Sequence, residues 1–150
     1  MSIVSDIEKL KKEKNAVILA HYYVDDDVQD VADYIGDSFY LSKVATKVSQ
    51  DRIIFAGVEF MGESAKILNP EKRVFMPDIN ADCPMAHMAD KDEILKLSEQ
   101  YDDLAVVCYI NSTAELKKYS DVCVTSSNAV KIVKNLPNKN IFFIPDRNLG

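Results

Sequence analysis

The stretch Ala16-Val17-Ile18-Leu19-Ala20 decides the fold class, because successive apolar residues with no polar alternation are typical of a strand buried on both faces. On either side of this strand, helical periodicity predicts helices over Ser5–Lys14 and around Val24–Val31. Apolar strands then alternate with helices of about ten residues along the rest of the chain. We therefore predict an α/β fold in which helices flank parallel sheets, giving three-layer αβα units.

Further strands and helices are predicted from the same patterns. Short apolar runs predict strands at Arg52–Ala56, Arg73–Met76, Leu104–Cys108, Val122–Val124 and Ile141–Ile144. Helical spacing predicts helices at Phe39–Val48, Phe60–Leu68, Asp90–Tyr101 and Asn128–Leu136. Two capping-box patterns, Ser5-x-x-Glu8 and Ser112-x-x-Glu115, predict that Ser5 and Ser112 cap helices.

The chain contains an internal repeat. A shift of 88 positions lays residues 16–58 over residues 104–146 without a gap. Identical residues then coincide in five pairs: Asp33 with Asp121, Ser38 with Ser126, Lys43 with Lys131, Ile53 with Ile141, and Phe55 with Phe143. Because strands, helices and polar strand ends agree in register, we predict a duplicated α/β unit, at residues 1–86 and 87–150, with the second copy incomplete.

Composition excludes several classes of protein. The chain is 47% hydrophobic and 28% charged, which is typical of a globular domain and not of a disordered tail. No apolar stretch approaches the roughly 18–20 residues that a membrane span needs, and the charged first fifteen residues do not resemble a signal peptide. A net charge of −6 argues against nucleic acid as a partner. Three cysteines, an odd number, predict a reducing, cytoplasmic location.

Polar residues follow the predicted strands at their carboxyl ends, where ligands bind in open parallel sheets. These residues are His21, Tyr22, Tyr23, the segment Gly36-Asp37-Ser38, the segment Gly57-Val58-Glu59, Tyr109, Asn111 and the segment Thr125-Ser126-Ser127-Asn128. We predict that they line one pocket. Two structural alternatives stay open: the hydroxyls of Ser38 and Ser126 could cap helices, and one of Tyr22 and Tyr23 could belong to the core.

The cysteines differ in context. Cys108 and Cys123 stand inside apolar strands, where cysteine behaves as a small hydrophobe, so we expect both in the core. Cys83 precedes Pro84 in a loop after a strand end, from which a thiolate could reach a metal. The spacings between the cysteines match no compact motif for zinc or an iron–sulfur cluster. His87 is expected at the surface or behind the ligand-binding residues.

Two common motifs can be set aside. Gly36-Asp37-Ser38 matches the tripeptide around the nucleophile of one class of serine esterases, but no histidine follows residue 87 to serve as the usual partner. A Gly-x-Ser-x-Gly motif and the glycine-rich dinucleotide fingerprint are both absent from the sequence. Esterase activity therefore ranks lowest among the hypotheses.

Several blocks of the sequence, in order, resemble the quinolinate synthase family. They are His21-Tyr22-Tyr23, Gly36-Asp37-Ser38, residues 55–72, Ala81-Asp82-Cys83-Pro84-Met85-Ala86, Tyr109-Ile110-Asn111-Ser112, Thr125-Ser126-Ser127-Asn128-Ala129 and residues 145–150. The resemblance implies an enzyme of NAD biosynthesis that condenses iminoaspartate with dihydroxyacetone phosphate to give quinolinate, phosphate and water. It also implies association with the enzyme that supplies iminoaspartate.

The resemblance further implies a [4Fe–4S] cluster, held by one cysteine from each of three related units, that acts as a Lewis acid. Cys83 matches the first cluster ligand. His21, Ser38, Asn111 and Ser126 match residues that contact substrate carboxylate or phosphate groups. Tyr23 and Tyr109 match catalytic tyrosines near the reacting carbons, and Met61 and Glu63 match residues that line the pocket.

The resemblance is to the first half of the family only. The chain lacks the third unit and two of the cluster cysteines, so we expect it to be a fragment that is inactive and cluster-free on its own. A competing hypothesis is a non-catalytic α/β module that binds a small dicarboxylate or phosphate ligand through helix N-termini.

Overall fold

The computed structural model describes residues 2–149. These residues form two compact units, the first ending at Asp82 and the second beginning at Cys83. The boundary predicted after residue 86 lies within the 3-10 helix Pro84–His87, near the start of the second unit. Among the described residues, the helices are all too short or too polar to cross a bilayer.

The first unit is a four-stranded parallel sheet flanked by helices. In chain order its elements are α1 (Ile3–Glu13), β1 (Ala16–His21), α2 (Asp26–Asp30), β2 (Tyr34–Gly36), α3 (Ser38–Ala45), β3 (Arg52–Ala56), α4 (Glu59–Leu68) and β4 (Arg73–Phe75). The strand order is β2-β1-β3-β4. The central strands β1 and β3 supply Leu19 and Phe55, which pair in register and are fully buried. Helices cover the sheet on both faces. This explains why β1 has successive apolar residues and not an alternation of apolar and polar ones.

The second unit repeats this plan with three parallel strands. After the 3-10 helix come α5 (Lys91–Gln100), β5 (Leu104–Tyr109), α6 (Ala114–Lys118), β6 (Val122–Val124), α7 (Ala129–Val133) and β7 (Asn140–Ile144). The strand order is β6-β5-β7. Successive residues of β5 enter two different apolar clusters, with Val106 and Cys108 in one and Val107 in the other. The predicted αβα class is confirmed in both units.

The 88-residue repeat corresponds to matching structure in the two units. Strands β1, β2 and β3 begin and end 88 residues before β5, β6 and β7. In the first unit, a carboxylate oxygen of Asp33 accepts a hydrogen bond from the main-chain N–H of Ile18 at 2.8 Å. In the second, Asp121 accepts the equivalent bond from Val106, also at 2.8 Å. The shared aspartates therefore fix how each edge strand begins beside the central strand.

Two predicted helix caps are wrong by one or a few residues. Helix α1 begins earlier than predicted, and Ser2 caps it by accepting a hydrogen bond from the Ser5 N–H at 3.3 Å. Helix α6 is capped by Thr113, whose hydroxyl accepts from the Leu116 N–H. Ser112 is fully buried instead, with its hydroxyl 2.8 Å from the sulfur of Cys108. Adjacent hydroxyl residues satisfy the same capping pattern, so the pattern does not select between them.

Candidate active site

In the first unit, the carboxyl ends of three parallel strands bring the predicted site residues to one edge of the sheet. His21 ends β1 and pairs in register with Gly36, which ends β2. Gly57 directly follows β3, and a Cβ atom placed on it would lie 3.5 Å from the Cβ of His21 and 3.0 Å from the sulfur of Met61. A side chain at this position would therefore crowd the Met61 sulfur, whereas its distance from His21 would be an ordinary contact. The predicted closeness of these strand ends is observed within this unit.

His21 is held in a mostly buried, aromatic setting. Its ring is 8% exposed, and Nδ1 accepts a hydrogen bond from the Tyr23 N–H at 3.3 Å. Burial lowers the pKa of His21, although the negative charge of Asp37 acts in the opposite direction. The imidazole is therefore neutral at pH 7, and because Nδ1 accepts, its proton lies on Nε2. His21 can donate one hydrogen bond to an anionic ligand.

The two tyrosines after β1 surround this imidazole. Tyr22 stacks on the His21 ring with centroids 4.6 Å apart, and Tyr23 meets it edge-on at the same distance. Tyr22 is 47% exposed and Tyr23 is 80% exposed, so the alternative that one of them is a core residue is wrong. The short turn after β1 carries both rings out of the sheet before α2 begins. Tyr23 is thereby exposed beside the carboxyl end of β1.

Ser38 is the first residue of α3, but it does not cap the helix. Asp37 is the cap, because its carboxylate accepts a hydrogen bond from the Tyr40 N–H at 2.7 Å. The expectation that Ser38 caps α3 is wrong, and Ser38 is half-buried at the first position of the helix. The sequence analysis did not predict Asp37 as the cap, although an aspartate before a helix is a strong capping signal.

Helix α4 supplies the two residues predicted to line the pocket. Met61 is buried, with its sulfur against Gly57 at the end of β3. Glu63 lies two positions further along the same helix and is half-buried. Two residues advance a helix by about 200°, so Met61 and Glu63 leave α4 on different faces. Met61 is the one placed beside His21.

In the second unit, the residues after β5 and β6 form the equivalent edge. Tyr109 ends β5, and its hydroxyl oxygen accepts a hydrogen bond from the Asn111 side-chain amide at 3.3 Å. Tyr109 pairs in register with Val124, the last residue of β6. The segment Thr125–Asn128 then leads into α7, so Tyr109, Asn111 and this segment lie at one end of the sheet.

The hydroxyls before α7 have different roles. The Asn128 side chain accepts from the Thr125 N–H at 2.7 Å, and the hydroxyls of Thr125 and Ser127 lie 2.8 Å apart. Ser126 lies between them in sequence and is exposed. Helix α7 begins only at Ala129, so the expectation that Ser126 caps it is wrong. Ser126 and Ser127 are both exposed, and the hydroxyl of Ser127 contacts that of Thr125.

Comparison with known proteins identifies the family. The model of the quinolinate synthetase A protein family matches residues 5–150. The chain belongs to this family. The quinolinate synthase of Fusobacterium nucleatum is 68% identical over 144 residues, which cover 96% of this chain and 48% of that protein. Those of Clostridium perfringens and Caldicellulosiruptor saccharolyticus are 57% and 55% identical, and 50% and 49% of their lengths are covered. The chain spans about half the length of the curated relatives it matches.

The three cysteines of this family member occupy three different environments. Cys83 is half-buried at the start of the 3-10 helix, where its carbonyl accepts from the Ala86 N–H. Cys108 is buried in the core, as predicted. Cys123 is exposed, so its predicted place in the core is wrong. Strand β6 is the edge of its sheet, and apolar neighbours in sequence do not distinguish an edge strand from a central one.

His87 is exposed, as expected.

Quinolinate synthases generally depend on an iron–sulfur cluster. Binding of such a cluster requires suitable ligands among the side chains of the protein. A four-iron cluster is bound by several thiolates. Within residues 2–149, no group of three or more His, Cys, Asp or Glu side chains converges to hold a metal. Cys83 suits one ligand position, because it lies in a loop and not in a packed strand. The described residues therefore do not hold such a cluster by themselves.

Proposed function

We propose that the full-length protein containing this chain is a quinolinate synthase, which condenses iminoaspartate with dihydroxyacetone phosphate to give quinolinate, phosphate and water. The observation that carries the proposal is the family match over residues 5–150, together with 68% identity to the Fusobacterium nucleatum quinolinate synthase. The polar strand ends in both units support it, since they hold the donors that acidic substrates require.

In the first unit we assign His21 and Ser38 to substrate binding. A neutral imidazole with its proton on Nε2 donates to a carboxylate or phosphate oxygen, and the burial of His21 strengthens that hydrogen bond. Ser38 adds a hydroxyl at the start of α3, one residue beyond the Asp37 cap. Tyr23 is assigned a catalytic role, because its exposed phenol lies against the imidazole and can pass a proton at its hydroxyl oxygen.

In the second unit we assign Tyr109 to catalysis and Asn111 and Ser126 to substrate binding. The amide of Asn111 holds the Tyr109 hydroxyl oxygen and so orients its phenol proton away from that donor. A side-chain amide carries both donors and an acceptor, which suits Asn111 to orienting a bound acid. Ser126 and Ser127 are both exposed, and we choose Ser126 because the hydroxyl of Ser127 is in contact with Thr125.

We further propose that Cys83 is one thiolate ligand of a [4Fe–4S] cluster whose other ligands come from the part of the protein beyond this chain. Such a cluster supplies a Lewis acid when bound. We also propose a cytoplasmic location, which three free cysteines support. Association with an enzyme that produces iminoaspartate is part of the same proposal.

The proposal is tested on the full-length protein, prepared without oxygen, by measuring quinolinate formation together with iron and sulfide content. We expect Cys83→Ser to abolish activity and cluster content. The matched control Cys123→Ser removes an exposed thiol from an edge strand and should leave both unchanged in reducing buffer. An unmodified protein with a full cluster that forms no quinolinate would refute the proposal. Unchanged dicarboxylate binding without activity would favour the non-catalytic module.

A further inference from the structure

Two thiols that the proposed function does not use lie side by side in the second unit. Strands β5 and β6 are neighbours, and Cys108 pairs in register with Cys123. Register partners in parallel strands project from the same face of the sheet, and neighbouring strands lie about 4.8 Å apart. That separation is within the range of about 4.4–6.8 Å between the Cα atoms of disulfide-bonded cysteines. The spacing typical of such register partners is therefore compatible with a disulfide.

The two thiols also interact directly. A hydrogen bond from Cys123 lowers the pKa of Cys108 to about 6, against the effect of burial, and Ser112, Ser120 and the charge of Lys117 act in the same lowering direction. The pKa of Cys123 is raised by the same hydrogen bond, by burial and by the negative charge on Cys108. Cys108 is therefore the thiol of the pair that ionises more readily, and the thiolate is the reactive form of cysteine.

The two sulfurs differ in their access to solvent. Cys108 is fully buried, with its sulfur 2.8 Å from the hydroxyl of Ser112. Cys123 is exposed on the edge strand. An exposed thiol beside a buried thiolate is the arrangement in which a small reagent reaches one sulfur and the second sulfur completes the exchange.

We propose that Cys108 and Cys123 form a reversible redox pair, which a low-molecular-weight disulfide such as glutathione disulfide oxidises to a cross-strand disulfide. The fold itself does not require a cysteine pair at this place. In the first unit, the equivalent positions of β1 and β2 hold Ala20 and Ile35, which are register partners in the same way. The thiols are thus an addition to the shared scaffold of the two units.

The oxidation consists of two thiol–disulfide exchanges. Cys123 passes its proton to Cys108 across their hydrogen bond and attacks one sulfur of glutathione disulfide, which releases one glutathione thiolate. That thiolate takes the proton from Cys108. The Cys108 thiolate then attacks the Cys123 sulfur of the mixed disulfide and releases the second glutathione, which solvent protonates. Two electrons pass from the cysteine sulfurs to the disulfide bond of the oxidant, and excess glutathione reverses both steps.

The test uses the full-length protein, equilibrated without oxygen in buffers of different glutathione to glutathione disulfide ratio, then acid-quenched and alkylated. Trypsin cuts after Lys96, Lys117, Lys118 and Lys131, so the two cysteines fall on separate peptides, residues 97–117 and 119–131. We expect mass spectrometry to detect these peptides joined. Their oxidised to reduced ratio should rise about tenfold for each tenfold rise in the ratio of glutathione disulfide to glutathione squared.

Two variants complete the test. Cys123→Ser should abolish the joined peptide and leave Cys108 unmodified, whereas Cys83→Ser should leave the joined peptide unchanged. The second variant separates this proposal from the proposed function, since it removes the cluster ligand and not the pair. Glutathione attached to Cys123 without joined peptides, or both cysteines reduced at every ratio, would overturn the proposal.

Discussion

The two units share one backbone plan but carry different side chains at equivalent strand ends. His21 after β1 corresponds to Tyr109 after β5, and Tyr23 corresponds to Asn111. The aspartate that fixes the edge strand is kept in both units, with the same bond length. The difference teaches that shared residues such as these aspartates hold the scaffold, while the strand ends beside them present different side chains. Four predictions test this division.

The largest difference is expected in the core. Phe55 and Phe143 are identical in the repeat, but Phe55 is fully buried whereas Phe143 is only partly buried. Phe55→Ala should lower the free energy of opening of the first unit by about 3–5 kcal/mol, because it leaves a cavity. Phe143→Ala should lower the free energy of opening of the second unit by about 1–2 kcal/mol. Native-state hydrogen exchange of β1 and β5 amides measures each value, and equal losses would contradict the comparison.

The second-largest loss of stability is expected at the shared aspartates, Asp33 and Asp121. Asp33→Ala and Asp121→Ala each leave a main-chain N–H of a central strand without its acceptor, at a cost of about 1–3 kcal/mol. Asp33 also lies 3.0 Å from the ammonium group of Lys11, which is in the last turn of α1. Lys11→Met removes the ion pair but not the N–H acceptor, so it should cost less than Asp33→Ala. Hydrogen exchange at Ile18 and Val106 provides the measurement, and a negligible loss in either unit would show that the aspartate is dispensable there.

The strongly apolar central strands could be predicted from the sequence, whereas the edges of the sheets could not. Strand β2 was not predicted, because Tyr34-Ile35-Gly36 is short and exposed. The repeat contained the missing signal, since shifting the predicted strand Val122–Val124 back by 88 positions gives Tyr34–Gly36. The misplacement of Cys123 has the same origin: local composition reports apolar character but not the number of neighbouring strands.

The candidate site was predictable in its residue types and strand ends, but not in its hydrogen bonds. Capping preference could not choose between Asp37 and Ser38, because both residue types cap helices well. The same holds for Ser112 and Thr113. These choices depend on where the chain first adopts helical geometry, which tertiary packing decides.

A smaller effect is expected at the equivalent hydroxyls Ser38 and Ser126. In the full-length protein, the proposed function predicts that either Ser→Ala change raises the KM for the acidic substrates about tenfold with little change in kcat, which corresponds to one hydrogen bond to a charged group. Ser127→Ala is the matched control, because Ser127 contacts Thr125 within the loop. Steady-state kinetics would contradict the assignment of Ser126 if Ser127→Ala had the larger effect on KM.

The smallest difference should be in pH dependence, because the first unit has a histidine where the second has Tyr109. Burial, opposed by the charge of Asp37, lowers the folded-state pKa of His21 below the ordinary value of 6.5. The unfolded chain therefore binds the proton more readily, so stability is present above the unfolded pKa and declines as pH falls from about 6.5 through the folded pKa. His21→Gln should flatten this decline, which urea unfolding at a series of pH values measures. NMR titration of the His21 ring should give a midpoint below 6.5, and a midpoint above it would show that Asp37 outweighs burial.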